Sequence, residues 1–207
     1  MGTSVDHGWM RSARSRRSER GASLVEAAFV TTLFFLFLFG AIEGGYGLHE
    51  RLSVANLALV GARSASGNGA DVLADYLVLR SVKGGSGGVA STQVTTIVVY
   101  KATTPAATVP TACKTASVAG VCNRYTGADL AKASTEFGCV GPPGPVTKID
   151  SFWCPTARKI ALSGVNGPPD YIGVYVKATH RNLTGVLGTG LTFTSDTIMR
   201  IEPRTLT

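Results

Sequence analysis

Residues 20–42 read RGASLVEAAFVTTLFFLFLFGAI, and this stretch decides the architecture. From Ala27 to Ile42 it holds sixteen uncharged, mostly apolar residues and no proline. At about 1.5 Å per residue that run spans roughly 24 Å, or roughly 31 Å with Ala22–Glu26 added. A bilayer's hydrocarbon core is about 30 Å thick, so the expected element is a transmembrane helix. One carboxylate, Glu26, stands at its start. An acid at mid-bilayer costs roughly 2.5–3.5 kcal/mol on insertion scales, so it needs a reason to be there.

Working outward, the leader carries Arg11, Arg14, Arg16, Arg17 and Arg20 against Asp6 and Glu19. Beyond the apolar run, Glu43 and Glu50 flank Arg51. The positive-inside rule therefore places the N-terminus in the cytoplasm and residues past about 45 outside. A cleaved secretory signal is the competing reading. Its apolar core is usually about 7–15 residues and ends at a small-x-small site, which Gly45-Tyr46-Gly47 imitates poorly.

The 207 residues suit one membrane helix plus one modest domain, and the net charge is +7. Five of the twenty basic residues lie in the leader, and the rest are scattered with no basic stripe among aromatics. A nucleic-acid partner is not expected. Cys113, Cys122, Cys139 and Cys154 all fall in the outer part, where an even count reads as two disulfides. Three pairings are open; Cys113–Cys122 with Cys139–Cys154 closes the shortest loops. The rival zinc site lacks a C-x-x-C pair and finds only His7, His49 and His180, so no metal is expected.

Helical spacing continues past the membrane through Ile42, Tyr46, Leu52, Ala55, Leu59, Ala62 and Ala65. The spacing predicts one helix over about 22–66, apolar and then amphipathic, with those residues facing the domain. Gly44, Gly45 and Gly47 are its weak point, and Gly40 with Gly44 forms a G-x-x-x-G that reads either as a packing face or as a hinge. Gly67-Asn68-Gly69 ends the helix, and a short helix follows over 72–79. Gly84–Gly88 reads as a flexible linker. Three strands are expected: 93–101, apolar on both faces and hence central; 171–179, with Ile172, Val174, Val176 and Ala178 on one face; and 191–201, with Leu191, Phe193, Met199 and Ile201 inward. Thr104–Pro169 is too long for a bare loop; disulfides and a short helix near 128–136 should organise it. The fold class is α+β: a long N-terminal helix packed on a small antiparallel sheet.

Chemistry is not expected. Gly84-Gly85-Ser86-Gly87-Gly88 fits G-x-S-x-G, yet a helix precedes it and a strand follows, the reverse of a nucleophile elbow. His49-Glu50 lacks the second histidine of a zinc helix, and no phosphate-binding loop motif occurs. Asn182-Leu183-Thr184 reads as a loop, and His180 as a satisfied surface residue. With no catalytic residue and no cofactor site, a released hydrolase is the weakest of the function classes.

Arg20-Gly21-Ala22-Ser23-Leu24-Val25-Glu26 and the apolar helix behind it resemble the processing region of type IV pilin-like proteins. More specifically, the chain resembles the TadE-like family of pseudopilins, which serve tight-adherence (Flp) pilus assembly in bacteria. Ile42-Glu43-Gly44, Gly61-Ala62-Arg63-Ser64-Ala65 and Arg200-Ile201-Glu202-Pro203 are further echoes. Where the family often has an aromatic directly after the glutamate, this chain has Ala27, with Phe29 two positions on. The resemblance implies cutting by a prepilin peptidase between Gly21 and Ala22, with glutamate as fifth mature residue. The new ammonium on Ala22 would then lie one helical turn from Glu26, in the first turn where the helix dipole also favours a carboxylate. Implied partners are the peptidase, other pilins or pseudopilins, the assembly platform and membrane lipid. The expected divisions are a leader over 1–21, a membrane helix over 22–45, its amphipathic continuation over 46–66 and an outer domain over 67–207. The competing function is an uncut, membrane-anchored adhesion or binding domain.

Overall fold

The computed structural model describes residues 15–85, 89, 92–140, 148–160, 168–180, 188 and 190–203, with backbone only for 15–20. Arg11, Arg14, the Ser86–Gly88 part of the glycine linker and Asn182-Leu183-Thr184 lie outside these residues. Helix α1 runs over Ser15–Asn68, and two compact units part within it, between Glu43 and Gly44.

The first unit is the apolar part of α1, with Leu24, Phe29 and Phe37 each at least 70% exposed. A helix of this length and apolarity is able to cross a membrane. Thr32 Oγ1 donates to Ala28 O at 2.8 Å, so this hydroxyl needs no water. Phe35 and Phe39 stack one turn apart at 5.9 Å.

In the second unit, α1 continues over 44–68 and lies on a four-stranded antiparallel sheet, ordered β2-β1-β3-β4. The strands are β1 (Val94–Ala102), β2 (Cys122–Tyr125), β3 (Tyr171–His180) and β4 (Leu191–Arg200). Helix α2 (Ala74–Gly84) packs beside α1 and buries Val78, Leu79 and Val82. Ile97, Val99, Ile172, Val174 and Val176 meet the helices, and Phe193 and Met199 join from β4. On the opposite face Val98, Tyr100 and Ala102 lie under Val109 and Cys113, the latter from the short helix α3 (Thr111–Thr115). The apolar run of β1 is thus buried on both sides, as its central place requires.

The expected inward stripe of α1 needs correction. Ala62 and Ala65 are buried, but Tyr46, Leu52 and Ala55 are exposed, Leu52 at 72%. The inward row is Gly47, Glu50, Val54, Leu57, Ala58 and Gly61, about one residue out of phase. One residue turns the stripe by about 100°, enough to take Tyr46, Leu52 and Ala55 off the buried face. Glu50 is tolerated inside because its Oε1 meets His180 Nδ1 at 2.8 Å and accepts from Gln93 Nε2 at 3.1 Å. These partners come from 43 and 130 residues away, beyond the reach of any periodicity.

Thr104–Pro169 supplies a fourth strand, β2, which the sequence reading did not anticipate. Instead of one helix over 128–136 there are two 3-10 turns, Gly127–Ala131 and Ser134–Glu136. The cysteines form two pairs, Cys113–Cys122 with Cα atoms 6.2 Å apart and Cys139–Cys154 at 5.2 Å. Gly69 ends α1 at φ +46°, and a Cβ there would come within 2.9 Å of Ile201 Cγ2.

Gly173 has no room for a side chain, because a Cβ would fall onto the Tyr100 ring on the neighbouring strand. Gly173→Ala is expected to cost about 1–3 kcal/mol by overpacking. Denaturant unfolding of the full chain checks this; an unchanged midpoint would show that Tyr100 moves aside freely.

Candidate functional site

The candidate site is the segment 21–26, which lies inside α1, because the helix begins at Ser15, seven residues before the expected start at 22. Gly21, Ala22 and Glu26 are all helical and exposed, and Ala22 and Glu26 stand four residues apart on one face. Among the described residues, nothing lies within 4 Å of a Cβ built on Gly21, Gly40 or Gly44. The two glycines of G-x-x-x-G are therefore not packed against other described residues. α1 stays helical through Gly40, Gly44, Gly45 and Gly47.

The described residues hold no group of three His, Cys, Asp or Glu placed to bind a metal ion. His180, at the end of β3, meets Glu50, and both side chains are largely buried. Gly84 closes α2 and Gly85 caps it, so a helix does precede the G-x-S-x-G segment.

The polar centre of the outer domain lies elsewhere, and the sequence reading missed it. Asp75 on α2 is fully buried and pairs with the equally buried Arg158 through its Oδ1. Its Oδ2 accepts from Asn123 Nδ2 at 2.8 Å and from Tyr125 OH at 2.7 Å. Asn123 also brackets the Trp153 backbone, accepting its N–H and donating to its O, both at 2.9 Å. The Arg158 guanidinium lies 4.3 Å from the centroid of the Trp153 ring. Asp150 accepts from the N–H groups of Gly138 (3.0 Å) and Cys139 (3.2 Å), and burial pushes its carboxyl up. One network thus ties α2, β2 and the disulfide-bearing segment together. No local pattern announces it, since its members are scattered over residues 75–158.

Two tyrosines give this domain an alkaline limit. Burial, then the hydrogen bond and charge of Asp196, push Tyr100 above its ordinary 10.0. Burial, then the charge of Asp75, push Tyr125 up as well. In the unfolded chain both ionise from about pH 10, whereas in the folded domain they stay neutral. Their contribution is therefore complete below about pH 10 and lost as the pH rises through and beyond it. Melting temperature is expected to fall steeply above pH 10, and less steeply in Tyr125→Phe. Parallel slopes for the two proteins would refute this.

The family model of TadE-like proteins matches residues 21–63, beginning at the glycine read as the processing position. The match bears out the resemblance seen in residues 20–26, and it ends within α1, before the sheet. Over this segment the chain is similar to TadE-like proteins, which points to a Tad pilus-related protein. No curated protein and no solved structure matches the chain.

Proposed function

We propose that this protein is a pseudopilin or minor pilin of tight-adherence pilus assembly. It is cut between Gly21 and Ala22 and acts through α1. The observation that carries this reading is the TadE-like match from Gly21 onward. It coincides with an exposed apolar stretch of α1, residues 22–42, whose one acid stands one turn from the new terminus. The leader arginines stay in the cytoplasm with the peptidase, and the disulfide-bonded domain stands outside a membrane crossed once. Glu26 pairs with the ammonium of Ala22, its own or a neighbour's, which lowers the cost of an acid in lipid. Gly40 and Gly44 offer a close-packing face to a neighbouring helix. The protein carries out no reaction and needs no cofactor; its work is assembly with other pilins and the platform.

N-terminal sequencing of the protein from native membranes tests the reading. Ala22 is the expected first residue. Met1, or a residue close to it, would replace this proposal with an uncut, membrane-anchored domain. A terminus near Leu48 would mean secretion.

A further inference from the structure

The two edges of the sheet are treated differently. On β2, the outward N–H of Cys122 donates to Val118 O at 3.0 Å, and that of Arg124 to Ser117 Oγ at 2.9 Å. That edge is closed. On β4, the N–H of Ile201 bonds to Asp170 O, which sets the phase of the ladder with β3. Odd-numbered residues of β4 turn their backbone groups to β3, and even-numbered ones turn theirs outward. Arg200 fits this phase, because its O accepts from Ser66 Oγ instead of from β3. Thr192, Thr194, Asp196 and Ile198 therefore present N–H and C=O groups that no described residue takes up.

Natural sheets blunt such an edge with lysine, proline, a bulge or an inward charge. β4 has neither lysine nor proline, and its register with β3 runs unbroken from Leu191 to Arg200. Both of its charges are occupied: the Asp196 carboxylate accepts from Tyr100 OH at 2.7 Å and from Val109 N–H at 2.8 Å, and Arg200, at the strand's end, lies over the Tyr171 ring. Among the described residues, the edge is open from Thr192 to Ile198.

We propose that this edge pairs antiparallel with β4 of a second copy of the chain. A two-fold axis through Ser195 sets Thr192 opposite the second copy's Ile198, and Thr194 opposite its Asp196. All four outward residues of each copy then bond, giving about eight main-chain hydrogen bonds. On the face toward α1, Leu191 meets Met199 twice. An axis on Asp196 would instead oppose two carboxylates. An axis on Thr197 would call on Arg200 O, which Ser66 already holds.

Within the outer domain α1 runs alongside β4 in the same direction, with Gly47 beside Leu191 and Ser66 beside Arg200, so the two α1 segments of the paired sheet lie antiparallel. The inference rests neither on the membrane anchor proposed above nor on cleavage after Gly21.

The test uses the full chain in detergent solution, with pairing read as disulfide-linked dimer on non-reducing gels. Ser195→Cys is expected to link and Thr197→Cys is not. Thr194→Pro, which removes an outward N–H and no ladder bond to β3, should reduce linking of the Ser195→Cys protein at least tenfold while the domain still melts cooperatively. No linked dimer, equal linking at 195 and 197, or linking untouched by Thr194→Pro would each overturn the proposal and leave the reading of α1 as it stands.

Discussion

Arg158→Ala is expected to destabilise the outer domain by about 3–5 kcal/mol, the usual cost of stranding one member of a buried ion pair. Asp75 would keep Asn123 and Tyr125 as neutral donors but lose the cation that makes a fully buried carboxylate tolerable. Trp153 would lose the guanidinium stacked on its ring as well. Domains of this size are stable by only about 5–15 kcal/mol, so the variant stands near the limit of folding. A double variant keeps the expectation testable. Asp75→Asn with Arg158→Met removes both charges and fills much of the volume, and should recover most of the loss. Denaturant unfolding of the full chain in detergent, followed by tryptophan fluorescence, measures all of these. A single-variant loss under about 1 kcal/mol would mean that water or a shifted side chain replaces the arginine, and the network would not be the domain's keystone.

Gly21→Ala should abolish processing outright, leaving the chain about two kilodaltons heavier when a prepilin peptidase is co-expressed. Among the described residues nothing crowds Gly21, so the substitution leaves the fold alone and reports on recognition only. Glu26→Ala separates the next step. Cleavage should proceed as in wild type, while filaments on the cell surface fall below detection. The acid's expected part is to meet an ammonium that exists only after the cut. Normal piliation by the Glu26→Ala protein would remove the assembly role from this residue. A Gly21→Ala protein that is still shortened at Ala22 would count against the whole processing scheme.

Different parts of this molecule were legible to different degrees. The long helix, its capping glycine, the central position of β1 and the inward faces of β3 and β4 follow from periodicity and burial pattern within a dozen residues. The family resemblance was legible for the same reason, since Gly21, Ala22 and Glu26 lie within a single stretch of chain, whereas the helix begins seven residues earlier than expected, at Ser15. β2 was not, because four residues reading CNRY carry no alternation long enough to stand out. The rotation of the inward stripe on α1 was missed because Glu50 looks like a solvated acid until His180 and Gln93 are brought against it.

What the order of residues determined alone was a helix long and apolar enough to cross a membrane, and the place of Glu26 at the head of its apolar run. Hydrophobic length, the charge of the leader and the place of one acid are one-dimensional quantities, and the bilayer reads them as such. What only the tertiary structure decided was which polar groups are buried together and which backbone groups are left over. The bond between Asp75 and Arg158, and the outward groups of β4 that no described residue takes up, both depend on distances between segments remote in the chain. Electrostatics and hydrogen bonding act over a few ångströms of space, and no count along the sequence measures that.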